Sequence, residues 1–174
     1  PIADTAGTKP KEINRVLRQI SDRPDFPMLA TAVLRSMNES VAVLDREFNY
    51  ISINPAFTRT TGYGEREVIG QNANLLDSTQ HDVAFYNRVR QKLATEGHWA
   101  GEMWQRRKNG QEFLCSIEAN ATEGIYGEHR LYIAVITDIT QQKRAEQELP
   151  YLAYFDRLTI PPNRAVQWER LARA

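Results

Sequence analysis

The chain has 174 residues, 41% of them hydrophobic, and its 22 basic and 22 acidic side chains cancel to zero net charge. That is enough length for one sizeable core with flanking helices, and a balanced charge supplies no field that would draw nucleic acid or an acidic membrane surface. A single cysteine, Cys115, excludes an intrachain disulfide; no run approaches the roughly 20 apolar residues of a membrane span, and no signal-peptide pattern opens the chain.

Residues 1–10 are polar, carry Gly7 and Pro10, and read as a lead-in without regular structure. Ile13, Val16, Leu17 and Ile20 fall on one helical face and predict a helix over 11–22. Pro24 and Pro27 interrupt it. A second helix is expected over about 28–37, from Leu29, Ala32, Val33, Leu34 and Met37. The pattern then becomes that of strands, at 41–45 and 48–53, joined by Arg46-Glu47 as a tight hairpin. Short helical turns follow. Asn54 can cap the first, Gly62 can end it, and 65–68 make another before Gly70.

A longer helix is predicted over 82–96, with Val83, Phe85, Tyr86, Val89 and Leu93 as its apolar stripe and Gly97 as its stop. Strands at 98–107, 112–122 and 129–137 complete the domain. Asn109-Gly110 marks one hairpin, as both residues tolerate the positive φ of a two-residue turn, and Gly124 with Gly127 marks the next. Two strands, helices, then three strands describe an α+β protein: a five-stranded antiparallel sheet with short helices on one face, flanked by N- and C-terminal helices. Residues 141–149 have high helix propensity, and Ala145, Leu149 and Ala153, with Leu152 beside them, form a narrow seam suited to pairing with a second copy. Pro150 interrupts that seam, and 163–174 start a new amphipathic helix.

The order of the short signals resembles the PAS sensory family. Asn54-Pro55-Ala56-Phe57 and Thr61-Gly62-Tyr63 come first. Trp99-Ala100-Gly101-Glu102, Arg106-Arg107-Lys108-Asn109-Gly110 and the closing Asp138-Ile139-Thr140 follow in family order. The likeness spans about 34–149. Further on, Asp156-Arg157-Leu158-Thr159 with Pro162-Asn163-Arg164 resembles the entry to a GGDEF diguanylate cyclase domain, with Ile160-Pro161 in place of the usual Gly-Leu. The GGDEF motif itself is absent from the chain. The expected division is a lead-in and helix at 1–27, the PAS domain at 28–140, an output helix at 141–155 and the start of a GGDEF domain at 156–174. The chain begins without Met and stops inside a helical pattern. We therefore expect a cytoplasmic piece of a longer protein, with any membrane anchor of that parent lying upstream.

The resemblance implies a cavity between the sheet and the short helices. Asn54, Phe57, Tyr63, Asn74, Trp104, Gln105, Phe113 and Cys115 are the candidates to line it; ordinary core packing is the other reading of the aromatics, and Cys115 reads as an inert core thiol. Flavin is the first cofactor to weigh. Gly70-Gln71-Asn72-Ala73-Asn74-Leu75-Leu76 resembles the light-sensing PAS branch, but Ala73 stands where that branch has its reactive cysteine and Asn74 where it has an arginine. Its ring-contacting polar residues correspond to Gln105, Cys115 and Ile136; the FAD-binding redox branch has tryptophan and asparagine where this chain has Arg90 and Gln105. These replacements disfavour FMN or FAD. Haem is disfavoured too: its axial position falls near Val89, and His81, His98 and His129 read as solvated imidazoles. The expected occupant is a small organic ligand or none, and no metal is expected.

The basic run Arg106-Arg107-Lys108 reads as a solvated strand end rather than a nucleic-acid site. The expected role is that of a sensory and dimerising module without catalysis of its own. It would relay a signal through Asp138 and Thr140 to a diguanylate cyclase, with or without an EAL phosphodiesterase. In the PAS family that aspartate commonly meets a basic residue, and the helix at 28–38 is expected to supply dimer contact. The alternative is a structural interaction domain that binds no small molecule.

Overall fold

The computed structural model describes residues 9–122 and 130–148. The chain divides after Asp138 into two compact units. In the first, α1 (Lys9–Ile20) and α2 (Phe26–Arg35) precede β1 (Ser40–Leu44) and β2 (Tyr50–Ile53). Then come α3 (Pro55–Thr61), α4 (Glu65–Val68), a 3-10 turn at Ala73–Leu76 and α5 (Val83–Glu96), followed by β3 (His98–Arg106), β4 (Glu112–Thr122) and β5 (Leu131–Asp138). The five strands form one sheet in the order β2-β1-β5-β4-β3, every pairing antiparallel. The second unit contributes a helix at 140–148, α6.

Period-2 alternation divides the sheet into two faces. On β5, Tyr132, Ala134 and Ile136 join a core beneath α3, α4 and α5, whereas Leu131, Ile133 and Val135 join a second core with α1 and α2. The short helices occupy one face as expected. The N-terminal helices cover the other: Ile13 and Leu17 of α1, and Phe26, Ala30 and Leu34 of α2, are buried with Val41 and Val43 of β1. The apolar face of α2 formed by Phe26, Ala30 and Leu34 is thus used within its own chain, while Met28 stays 69% exposed.

Local chemistry explains where element ends moved. Helix α1 already includes Lys9 and Pro10, since Lys9 pairs with Glu39 and Pro10 is buried. Pro27 lies inside the first turn of α2 rather than before it, where its missing N–H leaves no helical bond unmade. The turn between β1 and β2 is wider than two residues. The Asp45 carboxylate accepts from the N–H groups of Glu47 and Asn49, both at 2.9 Å, and Phe48 takes φ 67°. That turn carries the Phe48 ring onto Tyr132, stacked at 4.7 Å.

At the β3–β4 hairpin only Gly110 has positive φ, 91°, and its N–H donates to the Arg107 carbonyl. The loop is therefore a four-residue turn closed by a left-handed glycine, not a two-residue Asn-Gly turn. On α5, Asp82 caps the Phe85 N–H, but Val83 at the first position is 75% exposed and does not belong to the buried stripe. The turn expected at Gly124 and Gly127, the seam from Leu149 onward, Pro150 and the segment resembling a GGDEF entry lie outside the described residues. No helix of the described residues is long and apolar enough to cross a membrane.

Candidate functional site

The inner face of the sheet does not close completely against the helices. A cavity of about 80 Å³ remains. Its walls come from every strand except β2's far end: Ala42 and Leu44 of β1, Tyr50 of β2, Trp99, Met103 and Gln105 of β3, Ile117 and Ala119 of β4, Ala134 and Ile136 of β5. Val89, Arg90 and Leu93 of α5 close the opposite side, with Phe48, Ala73, Asp77 and Tyr86. Most of this lining is apolar, and the polar groups gather around Asp77.

One Asp77 oxygen accepts from the Arg90 guanidinium at 2.8 Å, and both side chains are about three-quarters buried. Burial holds the Asp77 carboxyl above the usual carboxylate range, while Arg90 pulls it back. Gln105 is 7% exposed and faces Asp77 across an isolated bridge. Tyr50 is 3% exposed, and burial pushes its phenol well up, so the hydroxyl stays neutral. The Tyr86 hydroxyl donates to the Trp104 carbonyl at 2.6 Å and accepts from the Ser78 N–H at 2.9 Å. Its hydrogen-bonding capacity is spent on the scaffold.

Of the residues singled out in the sequence for this cavity, Gln105 lines it. Asn54 is structural. Its Oδ1 accepts from Val41 N–H (2.9 Å) and Phe57 N–H (3.1 Å), and its Nδ2 donates to the carbonyls of Leu34 (3.0 Å) and Glu39 (2.8 Å). An amide has two donors and two lone pairs, so nothing is left for a ligand. Phe57 is fully buried against Tyr50, edge to face at 5.5 Å. Tyr63 is half-buried against the same core. Asn74 is exposed in the 3-10 turn. Trp104 points to the outer face because its neighbours Met103 and Gln105 point inward. Phe113 is fully buried and lies under the Arg107 guanidinium at 4.1 Å.

Cys115 is fully buried. Its thiol donates to the Met103 carbonyl at 3.3 Å and to Gln105 Oε1 at 3.4 Å, and burial pushes its pKa well up. A thiol so held is a poor nucleophile. His81 is not a solvated imidazole: its Nε2 accepts from the Trp104 N–H at 3.0 Å and its ring stacks on Phe85 at 4.0 Å. It thereby caps the outer edge of β3. His98 Nδ1 is buried, and His129 lies outside the described residues.

Residue type alone missed Trp99, Arg90 and Asp77. Register would have found the first. Trp99, Gly101, Met103 and Gln105 alternate onto one side of β3, and a Cβ on Gly101 would sit 2.9 Å from the Trp99 ring. The glycine is what lets the indole lie along the strand into the cavity. Of the positions that resemblance links to cofactors, Ala73, Val89, Arg90, Gln105 and Ile136 line the cavity, and Asn74 and Cys115 do not.

Those same positions decide what can be held. Val89 offers an iron no donor atom. A three-ring flavin exceeds the volume, since an engineered cavity that binds a single benzene measures about 150 Å³. Asn74 is uncharged and offers no cation to a cofactor phosphate. The residues present fit neither group. Among the described residues no cluster of three His, Cys, Asp or Glu is placed to hold a metal.

A second constellation lies where β5 ends. The Arg107 guanidinium donates to the Thr60 carbonyl at the end of α3, to Gln111 Oε1 across the hairpin (3.0 Å), and to Asp138. One side chain thus ties α3, the β3–β4 hairpin and the last residue of β5. Gly62 belongs to this corner: it ends α3 with φ 84°, and Lys108 N–H donates to the Thr61 carbonyl at 2.9 Å. Thr140 is the first residue of α6 in the second unit.

A family model for the PAS domain matches residues 38–141. A nitrogen fixation regulatory protein of Klebsiella oxytoca is 30% identical over 123 residues, covering 71% of this chain and 25% of that protein. The cyclic di-GMP phosphodiesterase PdeR of Escherichia coli (strain K12) is 27% identical over 150 residues, covering 86% of this chain and 22% of PdeR. The chain thus spans about a quarter of the length of these relatives. Among solved structures, an RNA-binding light-oxygen-voltage receptor superposes with a TM-score of 0.62 at 24% identity, over 76% of this chain and 38% of the receptor. The LOV domain of the blue-light-activated histidine kinase EL346 from Erythrobacter litoralis gives 0.54 at 20% identity, over 60% of this chain and 98% of the domain. At these identities the structures share the fold.

Proposed function

Because the chain belongs to the PAS domain family, we propose that it is the sensory and dimerising module of a cyclic-di-GMP signalling protein, reading a small molecule in the inner cavity and passing the result through β5 to the helix beyond. The observation that carries this reading is the path of β5. Ala134 and Ile136 line the cavity, and Asp138, two residues on, is held by Arg107 at the strand's exit. Alternate residues of a strand share a face and move together. A ligand that shifts Ile136 therefore bears on the Arg107 clamp and on the start of the 140–148 helix.

Two observations favour a cyclic-di-GMP output. The alignment with PdeR runs longer than the PAS match, so it extends beyond the domain. The segment Asp156 to Arg164 resembles a GGDEF entry. The catalytic part would follow in the parent, with or without an EAL domain; this chain would supply regulation and a second copy's contact rather than turnover. A cyclase joins nucleotides held by facing protomers, so a module that bends or rotates paired helices can set their approach.

The test is Asp138→Ala in the full-length parent. The pair is partly exposed, so its loss should cost no more than about 1 kcal/mol. Folding should survive while cyclase or phosphodiesterase output stops responding to the signal. Unchanged regulation, with the variant folded, overturns the proposal and leaves a docking role.

A further inference from the structure

Resting on the reading of the inner cavity as a ligand site, we propose that its ligand is a neutral molecule no larger than a single six-membered ring, bearing one hydroxyl or amide head that bonds Tyr50 and Gln105. Size sets the ceiling. The cavity of about 80 Å³ lies between the roughly 30 Å³ share of one liquid water and the roughly 150 Å³ that accommodates benzene. A ring enters only with some opening of the walls; a short chain enters as they stand. A flavin, a haem and a long acyl chain exceed that space far more than a single ring does.

Charge sets the head group. Asp77 and Arg90 bond each other at 2.8 Å and cancel at the polar end. An anion there would meet the second Asp77 oxygen, and a cation would meet Arg90. Neither is rewarded without breaking the pair. Three other polar side chains line the same cavity, each more than nine-tenths buried, and of these Tyr86 spends its hydroxyl on Ser78 and Trp104, which leaves Tyr50 and Gln105. Gln105 uses its Oε1 for the weak Cys115 contact, and no described residue bonds its Nε2. No described residue bonds the Tyr50 hydroxyl either. Both open on the cavity, so they take a partner from whatever fills it. A hydroxyl or amide, which both donates and accepts, satisfies both groups at once. Water alone accounts for the polar end but not for the remainder: walls formed by Ala42, Leu44, Leu93, Met103, Ile117 and Ala134 repel it, and an apolar cavity stays dry or takes an apolar body.

The probes are phenol and butyramide, with benzoate, toluene and FMN as contrasts, titrated into the isotope-labelled full chain. The signals followed are the Trp99 indole N–H and the methyl groups of Ala42 and Ala134. Phenol or butyramide should shift them saturably, and about tenfold more tightly than benzoate. Tyr50→Phe and Gln105→Leu should each weaken phenol three- to tenfold and leave toluene unchanged, with circular dichroism confirming both variants folded. Preference for benzoate or FMN, or toluene binding as tightly as phenol, overturns the proposal. If no probe shifts the signals, the proposal falls as well, and Ala134→Leu in the parent then separates the two failures. Altered output would mean that the cavity is used by another class of ligand. Unaltered output would mean that the cavity is not the sensor.

Discussion

The two faces of the sheet are made by the same strands and do different work. The outer face, between β1, β5 and the α1–α2 pair, is filled with aliphatic side chains: Ile13, Leu17, Leu34, Val41, Val43, Ile133 and Val135 are all at most 5% exposed. The inner face buries more aromatic and polar chemistry and keeps a cavity, with Asp77, Arg90, Gln105 and Tyr50 at one end of it. Filling one face to density frees the other to be imperfect. A cavity lowers stability in proportion to its unfilled space, and the outer layer supplies stability that does not depend on whether the cavity is occupied.

The sharpest way to break this comparison is to empty the outer face. Leu17 is fully buried there, and Leu17→Ala should cost about 3 kcal/mol, read as a lower urea midpoint. The surviving folded protein should bind cavity probes as wild type does. A loss under about 1 kcal/mol would show that α1 is dispensable, and altered binding would show that the two faces are coupled.

The inner face should respond in the opposite sense. In Gly101→Ala the new Cβ meets the Trp99 ring at 2.9 Å, so the indole must swing. Because that ring is the far end of a partly buried side chain, the cost should be only about 1 kcal/mol. Probe affinity should nevertheless change severalfold, since Trp99 is a wall of the cavity. Unchanged affinity would remove Trp99 from the site.

The smallest effect is a slope with pH. The Asp77 carboxyl is raised in the folded protein, by burial first and against the pull of Arg90. The folded state therefore holds that proton more tightly than the unfolded one. Its contribution to stability is complete below the unfolded value of about 3.9 and is lost as pH rises through the folded value. The stability of Asp77→Asn minus that of wild type should grow from about pH 4 toward neutrality. Urea midpoints across that range decide it; a difference that shrinks with rising pH would mean that Arg90 outweighs burial.

Some of the site was legible before any coordinates. Asn54 ahead of Pro55 reads as a cap, and it is one, because capping is a local matter of a short polar side chain beside free N–H groups. Asp138 could be marked for coupling only through resemblance, and its partner Arg107, 31 residues away, read as a solvated strand end, whereas it is largely buried and bonded to Thr60, Gln111 and Asp138. Asn74 and Trp104 were chosen for their chemistry and do not line the cavity; Asp77 was passed over because an acid in a polar stretch looks like surface, and Arg90 entered only through resemblance.

What the sequence determined by itself is the set of elements and their alternation: β4 begins at Glu112 and ends at Thr122 as its pattern says, and Gly62 and Gly97 stop their helices in left-handed conformation. These are short-range outcomes of side-chain period and backbone sterics. Only the tertiary structure decided which face of the sheet α1 and α2 cover, which of two neighbouring β3 residues reaches the cavity, and that Asp77 and Arg90 meet. Those depend on sheet order and helix docking, where residues far apart in the chain compete for the same volume and no local pattern records the winner.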